Sequence, residues 1–362
     1  MREIRPRRVD LRLLRLTAEE GFVLSRLTGP TTLRELVAVS NLEEPRVVEI
    51  VRRLVDQGAV EVEGDLPPLR APAPSFAGID ELDELGAVLE VAAVTDAGRV
   101  RTDNEDSFVT LVLSTGVAVD EGHAQLDEQG VLLAVADGMG GAKAGEVASI
   151  VVVETLRESL VRRDPKRDAA DVLCEAAENA NARVVEASVE RGCEGMGATL
   201  VAVLVCEGAA YTAEIGDSRF YVLRGGSLVQ ISKDQTYTAA LVAKGVMTPE
   251  DARSSQARHV VLQACGKGRD IIVAQRRVVL GPGDVLLLCS DGLSGEVDDP
   301  TIASILVDMS SPRDACAKLL AKALENGGHD NATIIVARVG GHASDDGEGI
   351  AVTTLRAFEL GD

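Results

Sequence analysis

The large C-terminal part of the chain is written as short apolar runs separated by polar breaks. LEVAAVT (89–95), DSFVTLVL (106–113) and VLLAVA (131–136) come first. ATLVAVLVCEG (198–208), AAYTAEIGD (209–217) and SRFYVLRGG (218–226) follow with only tight turns between them. IIVAQRRVVL (271–280), DVLLLCS (284–290) and ATIIVARVG (332–340) complete the set. Runs of this length, rich in Val and Ile, predict strands, and strands joined by short turns pair antiparallel. Two longer spans, about 145–162 and 168–190, read as helices. Adjacent long helices need a sheet face to bury against. The pattern therefore predicts an α+β layered sandwich and not a doubly wound α/β fold.

The first 64 residues have a different rhythm. Thr17-Ala-Glu-Glu20 and Thr32-Leu-Arg-Glu35 are capping boxes that open helices. Val47, Val48, Ile50, Val51, Leu54 and Val55 make a helical stripe within 42–57, Gly58 caps it, and AVEVE (59–63) alternates like a strand. Three helices and a strand predict a small, mainly helical, winged-helix-like module. Residues 65–85 read as a Pro-rich linker, 86–341 as the large domain and 342–362 as a C-terminal tail. Residues 230–262 form a polar, partly helical insertion among the strands.

Composition sharpens this picture. Apolar residues make up 46% of the 362 positions but aromatics only 2%, so the core is built from Val, Leu, Ile and Ala. No apolar stretch approaches the roughly 20 residues that span a bilayer, and the N-terminus lacks the apolar stretch of a signal peptide. The chain reads as cytoplasmic, with no membrane partner. The six cysteines, 174, 193, 206, 265, 289 and 316, form no C-x-x-C pair and read as small buried hydrophobes. Residues 1–64 hold 11 Arg and 11 acidic residues, so the net charge of −21 belongs to the remainder. That balance argues against nucleic acid as a partner, because a phosphate backbone needs a basic face.

The acids are placed with a purpose. Glu105 and Asp106 begin one strand, Asp137 ends another in AVADGMGG, Asp217 sits between two in EIGDSRF, Asp291 ends one in LLLCSDG, and Asp330 precedes one in GHDNATIIV. Any one alone is an ordinary turn former or helix cap. Together, ionised carboxylates at one end of a sandwich repel one another unless a cation sits among them. Arg101 is one candidate. Divalent ions are the better one, and oxygen-only ligands select hard cations, Mg²⁺ or Mn²⁺. Gly138, Gly140 and Gly141 allow close backbone approach, and the Gly138 carbonyl is itself a candidate ligand. Other chemistries fail on their motifs. Gly140-x4-Gly145 is followed by Glu-Val instead of Lys-Ser/Thr, and neither a nucleophile elbow nor H-E-x-x-H occurs. His259 and His329 read as polar surface groups.

In order, R-x-x-N-E-D (101–106), A-D-G-M-G-G (136–141), G-M-G-A-T-L (195–200), G-D-S-R (216–219), C-S-D-G-L (289–293) and H-D-N-A-T (329–333) resemble the PPM/PP2C family of metal-dependent serine/threonine protein phosphatases in its bacterial form. The resemblance implies a four-layer α-β-β-α sandwich of two antiparallel sheets, with a two-ion site at one end. It implies that Asp137 bridges both ions, that Asp291 and Asp330 complete one, and that Glu105 and the Gly138 carbonyl hold the other. Asp106 orients water, Asp217 with Asp291 forms a third ion site, and Arg101 grips the phosphate. The implied reaction is attack of a metal-bridging hydroxide on phosphoserine or phosphothreonine in proteins, opposing a partner Ser/Thr kinase. Met139 and Ala142 stand where relatives carry His, and Gln235 follows Asp234 where relatives often have His. The alternatives are a metal-binding scaffold without turnover and a DNA-linked regulator. Arg46, Arg52 and Arg53 on the third helix of the N-terminal module are balanced by Glu43, Glu44, Glu49 and Asp56, so a regulatory or interaction role fits that module better than DNA binding.

Overall fold

The computed structural model describes residues 88–358 apart from 141–143, 162, 194 and 341–348, together with 3–6, 23–24, 27, 31–32, 36, 44–56 and 59–62. The chain divides into two compact units, Met1–Ile79 and Asp80–Asp362.

In the first unit, strands β1 (Glu3–Pro6) and β2 (Thr31–Thr32) precede helix α1 (Glu44–Asp56) and strand β3 (Val60–Val62). The strands form an antiparallel sheet in the order β2-β1-β3. Val47, Ile50, Val51 and Leu54 of α1 are buried against Val23, Leu27 and Leu36, as the i, i+3, i+4, i+7 spacing requires. Strand β1 is absent from the sequence reading of three helices and one strand for residues 1–64. Two of its four residues are charged and one is proline, so nothing in its composition announces a strand. Apart from Thr32, both capping boxes lie outside the described residues, as does the linker 65–85.

The second unit opens with β4 (Val88–Asp96), β5 (Asp106–Val112), β6 (Val117–Ala118), β7 (Glu121–Gln125) and β8 (Val131–Met139). Helices α2 (Ala144–Val161) and α3 (Ala169–Glu190) follow, then β9 (Gly197–Ala198), β10 (Leu200–Cys206), β11 (Ala209–Ile215), β12 (Arg219–Arg224) and β13 (Ser227–Gln230). Short helices α4 (Tyr237–Ala243) and α5 (Pro249–Ser254) lead to β14 (Gln275–Val279), β15 (Val285–Cys289) and α6 (Asp291–Ser294). Helices α7 (Asp299–Val307) and α8 (Pro312–Glu325) and strands β16 (Ala332–Val339) and β17 (Val352–Arg356) complete it.

One sheet runs β17-β14-β11-β10-β8-β5-β6 with β9 on the end of β8, and the other runs β13-β12-β15-β16-β4-β7. Alternate side chains of each central strand serve different cores. Leu133 and Val135 of β8 meet Phe220, Leu288 and Ile335 between the sheets. Leu132, Ala134 and Ala136 face Val152, Leu156 and Leu173 of α2 and α3. On the far side Leu287 and Val336 pack on Ile302 and Leu319 of α7 and α8. Both faces of these strands are covered, and this is why their sequences are continuous apolar runs and not alternating ones.

Strands β6 and β7 and helices α7 and α8 are absent from the sequence reading, and two further details differ from it. Strand β8 does not stop at Ala136. Asp137 pairs with Asp106, Gly138 with Ala198 and Met139 with Gly197. Residues 352–356, read as tail, pair with β14 at the sheet edge. Among the described residues no helix is long and apolar enough to cross a membrane.

Candidate active site

Six strand ends meet at one end of the sandwich. Asp106 opens β5 directly opposite Asp137 on β8. Asp291 follows β15, Asp330 precedes its neighbour β16, and Asp217 lies in the turn from β11 to β12. Hydrogen bonds stitch the sheets together here. Ser290 Oγ donates to Asp106 Oδ2 at 2.7 Å. The Glu105 N–H donates to Asn331 Oδ1 at 2.8 Å, while Asn331 Nδ2 donates to the carbonyls of Ala97 (3.0 Å) and Asp103 (2.9 Å). The Asp137 N–H donates to Thr199 Oγ1 at 3.0 Å, and that hydroxyl shares a 2.7 Å bond with Ser218 Oγ. Sequence reasoning missed Asn331, Ser290, Ser218 and Thr199. The first three are immediate chain neighbours of the acids, a signal that was available.

Electrostatics sets this cluster apart. Burial pushes the Asp106 carboxyl up to about 7, with the charges of Asp291 and Asp330 adding and the Ser290 hydroxyl opposing. Asp137 is raised well above the usual carboxylate range by burial and then by Asp106, Asp291 and Asp217. Asp217 reaches about 7 through burial and the Asp291 charge. Burial also raises Glu105, against the pull of Arg101. Oδ1 of Asp106 and Oδ1 of Asp291 are buried without a hydrogen-bond partner. Buried acceptors left unpaired among like charges are costly, and a hard cation removes both penalties at once. The residues therefore fit Mg²⁺ or Mn²⁺. Among the described residues no three acidic, Cys or His side chains already close a ligand set. Part of the reason is that Asp330 is turned to Arg101 at 2.7 Å, and Oδ2 of Asp291 stands 3.3 Å from Nδ1 of His259.

Arg101 is half exposed and engages Asp330 through Nη2 alone. His259 is exposed, as read from the sequence, and it also borders the cluster, where contact with Asp291 raises its pKa. His329 remains at the surface beside Glu296, 2.8 Å away. Met139 is half-buried at the end of β8, and Ala142 lies outside the described residues. A cavity of about 1130 Å³ opens beside the cluster, bounded by residues of the 230–262 segment. It reaches Asp217 and Asp291 but not Glu105, Asp106 or Asp137.

The glycine after Asp137 has a steric reason. A Cβ on Gly138 would stand 2.2 Å from the Gly145 carbonyl oxygen and 2.5 Å from that of Glu105. Both obstacles are backbone, so helix α2 or the Glu105 turn would have to move. Gly138→Ala is expected to cost about 3 kcal/mol, read as a thermal midpoint lowered by about 6–12 °C. An unchanged midpoint would show that α2 does not press on this strand.

A helix-flanked double sheet whose strand ends gather carboxylates and an exposed arginine has the donor chemistry of a hard-metal site suited to phosphate chemistry. The relatives carry that class further. A family profile described as Protein phosphatase 2C matches residues 117–326. The serine/threonine protein phosphatase PstP of Mycobacterium tuberculosis is 39% identical over 256 residues, covering 70% of this chain and 45% of that protein. The chain thus spans about half the length of this relative. The serine/threonine phosphatase stp of Listeria welshimeri is 32% identical over 246 residues, covering 67% of this chain and 92% of that one. The catalytic domain of PstP, crystallised in complex with 2 manganese ions, has a TM-score of 0.60 at 35% identity and covers 70% of this chain and 100% of its own. The chain belongs to the protein phosphatase 2C family, whose cofactor is Mn²⁺ or Mg²⁺.

Proposed function

We propose that this chain hydrolyses phosphoserine and phosphothreonine in proteins, acting in the cytoplasm against a partner Ser/Thr kinase. The observation that carries the reading is the cross-strand pair Asp106–Asp137, with Asp106 Oδ1 buried and unpartnered, beside Asp291 with its own unpartnered oxygen. Asp137, Asp291 and Asp330 would hold one ion, and Asp137, Glu105 and the Gly138 carbonyl the other, with Asp217 and Asp291 available to a third. When bound, the ions make hydroxide available near neutral pH and offset charge on the phosphoryl oxygens. Asp106 Oδ1, without a partner, is free to accept a hydrogen bond from the attacking water and so to aim it. The guanidinium of Arg101 has only one of its nitrogens engaged, which leaves donors for two phosphate oxygens. Met139 carries no proton, so a water supplies the proton to the leaving Ser or Thr oxygen.

Phosphate release from phosphothreonine and phosphoserine peptides with Mn²⁺ tests this reading, and folded protein that releases none would refute it. Arg101→Ala is expected to raise KM about tenfold, the loss of one charge-assisted hydrogen bond, with a smaller change in kcat. Unchanged KM and kcat would remove Arg101 from phosphate binding.

We infer a regulatory or interaction role for residues 1–64, in a winged-helix-like arrangement. The buried stripe of α1 followed by strand β3 supports this arrangement. The balance of 11 Arg against 11 acids favours a protein partner over nucleic acid.

A further inference from the structure

We propose that the cavity beside the metal centre receives an acidic stretch of the substrate protein, flanking the phosphorylated residue. This rests on the phosphatase reading and adds a sequence preference to it. The cavity is lined by Asp217 and Asp291 and by residues of α4, α5 and the segment that follows them. A polypeptide whose phosphorylated residue enters the cluster would lay its neighbours there.

Outside the metal centre, and among the described residues, the cations of this cavity that lack an ion pair outnumber its acids that lack one, although the chain as a whole carries −21. Of its acids outside the metal centre, Asp234 and Asp299 share Arg219 (2.7 and 3.9 Å), while Glu296 and Asp298 are hydrogen-bonded and keep their charge. Tyr221 donates to Asp299 at 3.1 Å, and His329 stands 2.8 Å from Glu296. Asp298 accepts the Thr301 N–H at 3.0 Å as the cap of α7. Its exposed cations are not engaged in this way. Lys233, Lys244, Arg253 and Arg258 all line it, and none forms an ion pair among the described residues. Arg258 touches only His259 Nε2 (2.7 Å) and the Arg253 carbonyl (3.4 Å), neither of them an anion. Four unpaired cations around one opening attract a negatively charged segment and repel a basic one.

The test uses the full-length protein with Mn²⁺ and two phosphothreonine peptides, one with Glu and one with Ala at the flanking positions. Wild-type protein is expected to favour the acidic peptide about tenfold in kcat/KM, mainly through KM, with the preference shrinking as salt rises. In K244E/R253E, both changes on exposed positions, the preference should vanish or invert while hydrolysis of para-nitrophenyl phosphate, too small to reach the cavity, stays the same. K244A/R253A should fall between. Equal treatment of both peptides by wild type, or a preference that survives charge reversal, would overturn the proposal. So would an equal loss on both peptides in the variant. Peptide affinities from fluorescence anisotropy separate the two levels of the argument. An acidic preference in binding without hydrolysis of any phosphoester would remove the catalytic reading and keep the cation-lined groove.

Discussion

Asp137→Asn is expected to lower kcat by at least about 10²–10³-fold while leaving a protein that folds. Asp137 sits within the strand ladder, its N–H fixed on Thr199 and its carbonyl accepting the Thr199 N–H. The amide keeps that backbone and nearly the same shape, so the loss would fall on charge and not on packing. The same substitution carries a second signature. Asp137 is raised by burial and by Asp106, Asp291 and Asp217, so its ionised form works against the metal-free fold. Removing that charge should raise the thermal midpoint in EDTA and abolish much of the increase that Mn²⁺ gives to wild type. A midpoint lowered in EDTA, or full turnover, would take Asp137 out of the centre.

Metal-free protein should lose stability as pH rises from about 4 to about 7. Burial pushes the carboxyls of Asp106 and Asp217 up to about 7 in the fold, from 3.8 when exposed. Below the lower value both states are protonated, and the neutral carboxyls favour the fold in full. Between the two values the unfolded chain gives up its protons first, and stability drains away until the folded groups ionise. Each pKa unit is worth about 1.4 kcal/mol, so the change across this window is on the order of a few kcal/mol. Saturating Mn²⁺ binds the ionised form and should flatten or reverse the slope. General repulsion in a chain of net charge −21 would act in the same direction, so Asp106→Asn serves as the control. It should flatten the metal-free slope if the cluster is the cause. Midpoints that rise with pH in EDTA would contradict the electrostatic account.

The centre was legible because its acids interrupt apolar runs. A strand buried on both faces tolerates no charge, so Asp137, Asp217 and Asp291 stand out wherever such a run ends. The residues that hold them were harder to see. Asn331, Ser290 and Thr199 look like ordinary turn or strand residues, and only the fold shows their bonds crossing between strands and sheets. The exact extent of β8 was missed for a related reason, since Asp137-Gly138-Met139 is strand only because partners on either side complete it. Strand β17 is exposed at all five positions and lies on a sheet edge, where no apolar periodicity is demanded. Helices α7 and α8, absent from the sequence reading, carried clear signals, Asp298 and Ser311 caps each followed by proline in the first turn. His259 has no motif at all. Its place beside Asp291 comes from the folding of the 230–262 segment, 32 residues away in sequence.

The most direct measurement is phosphate release from a phosphothreonine peptide by EDTA-treated protein, before and after stepwise addition of Mn²⁺. The account predicts no release without metal and a rise that saturates as the carboxylate centre fills, absent in Asp137→Asn. Release that persists in EDTA, or Mn²⁺ uptake by well-folded protein with no release, would contradict it.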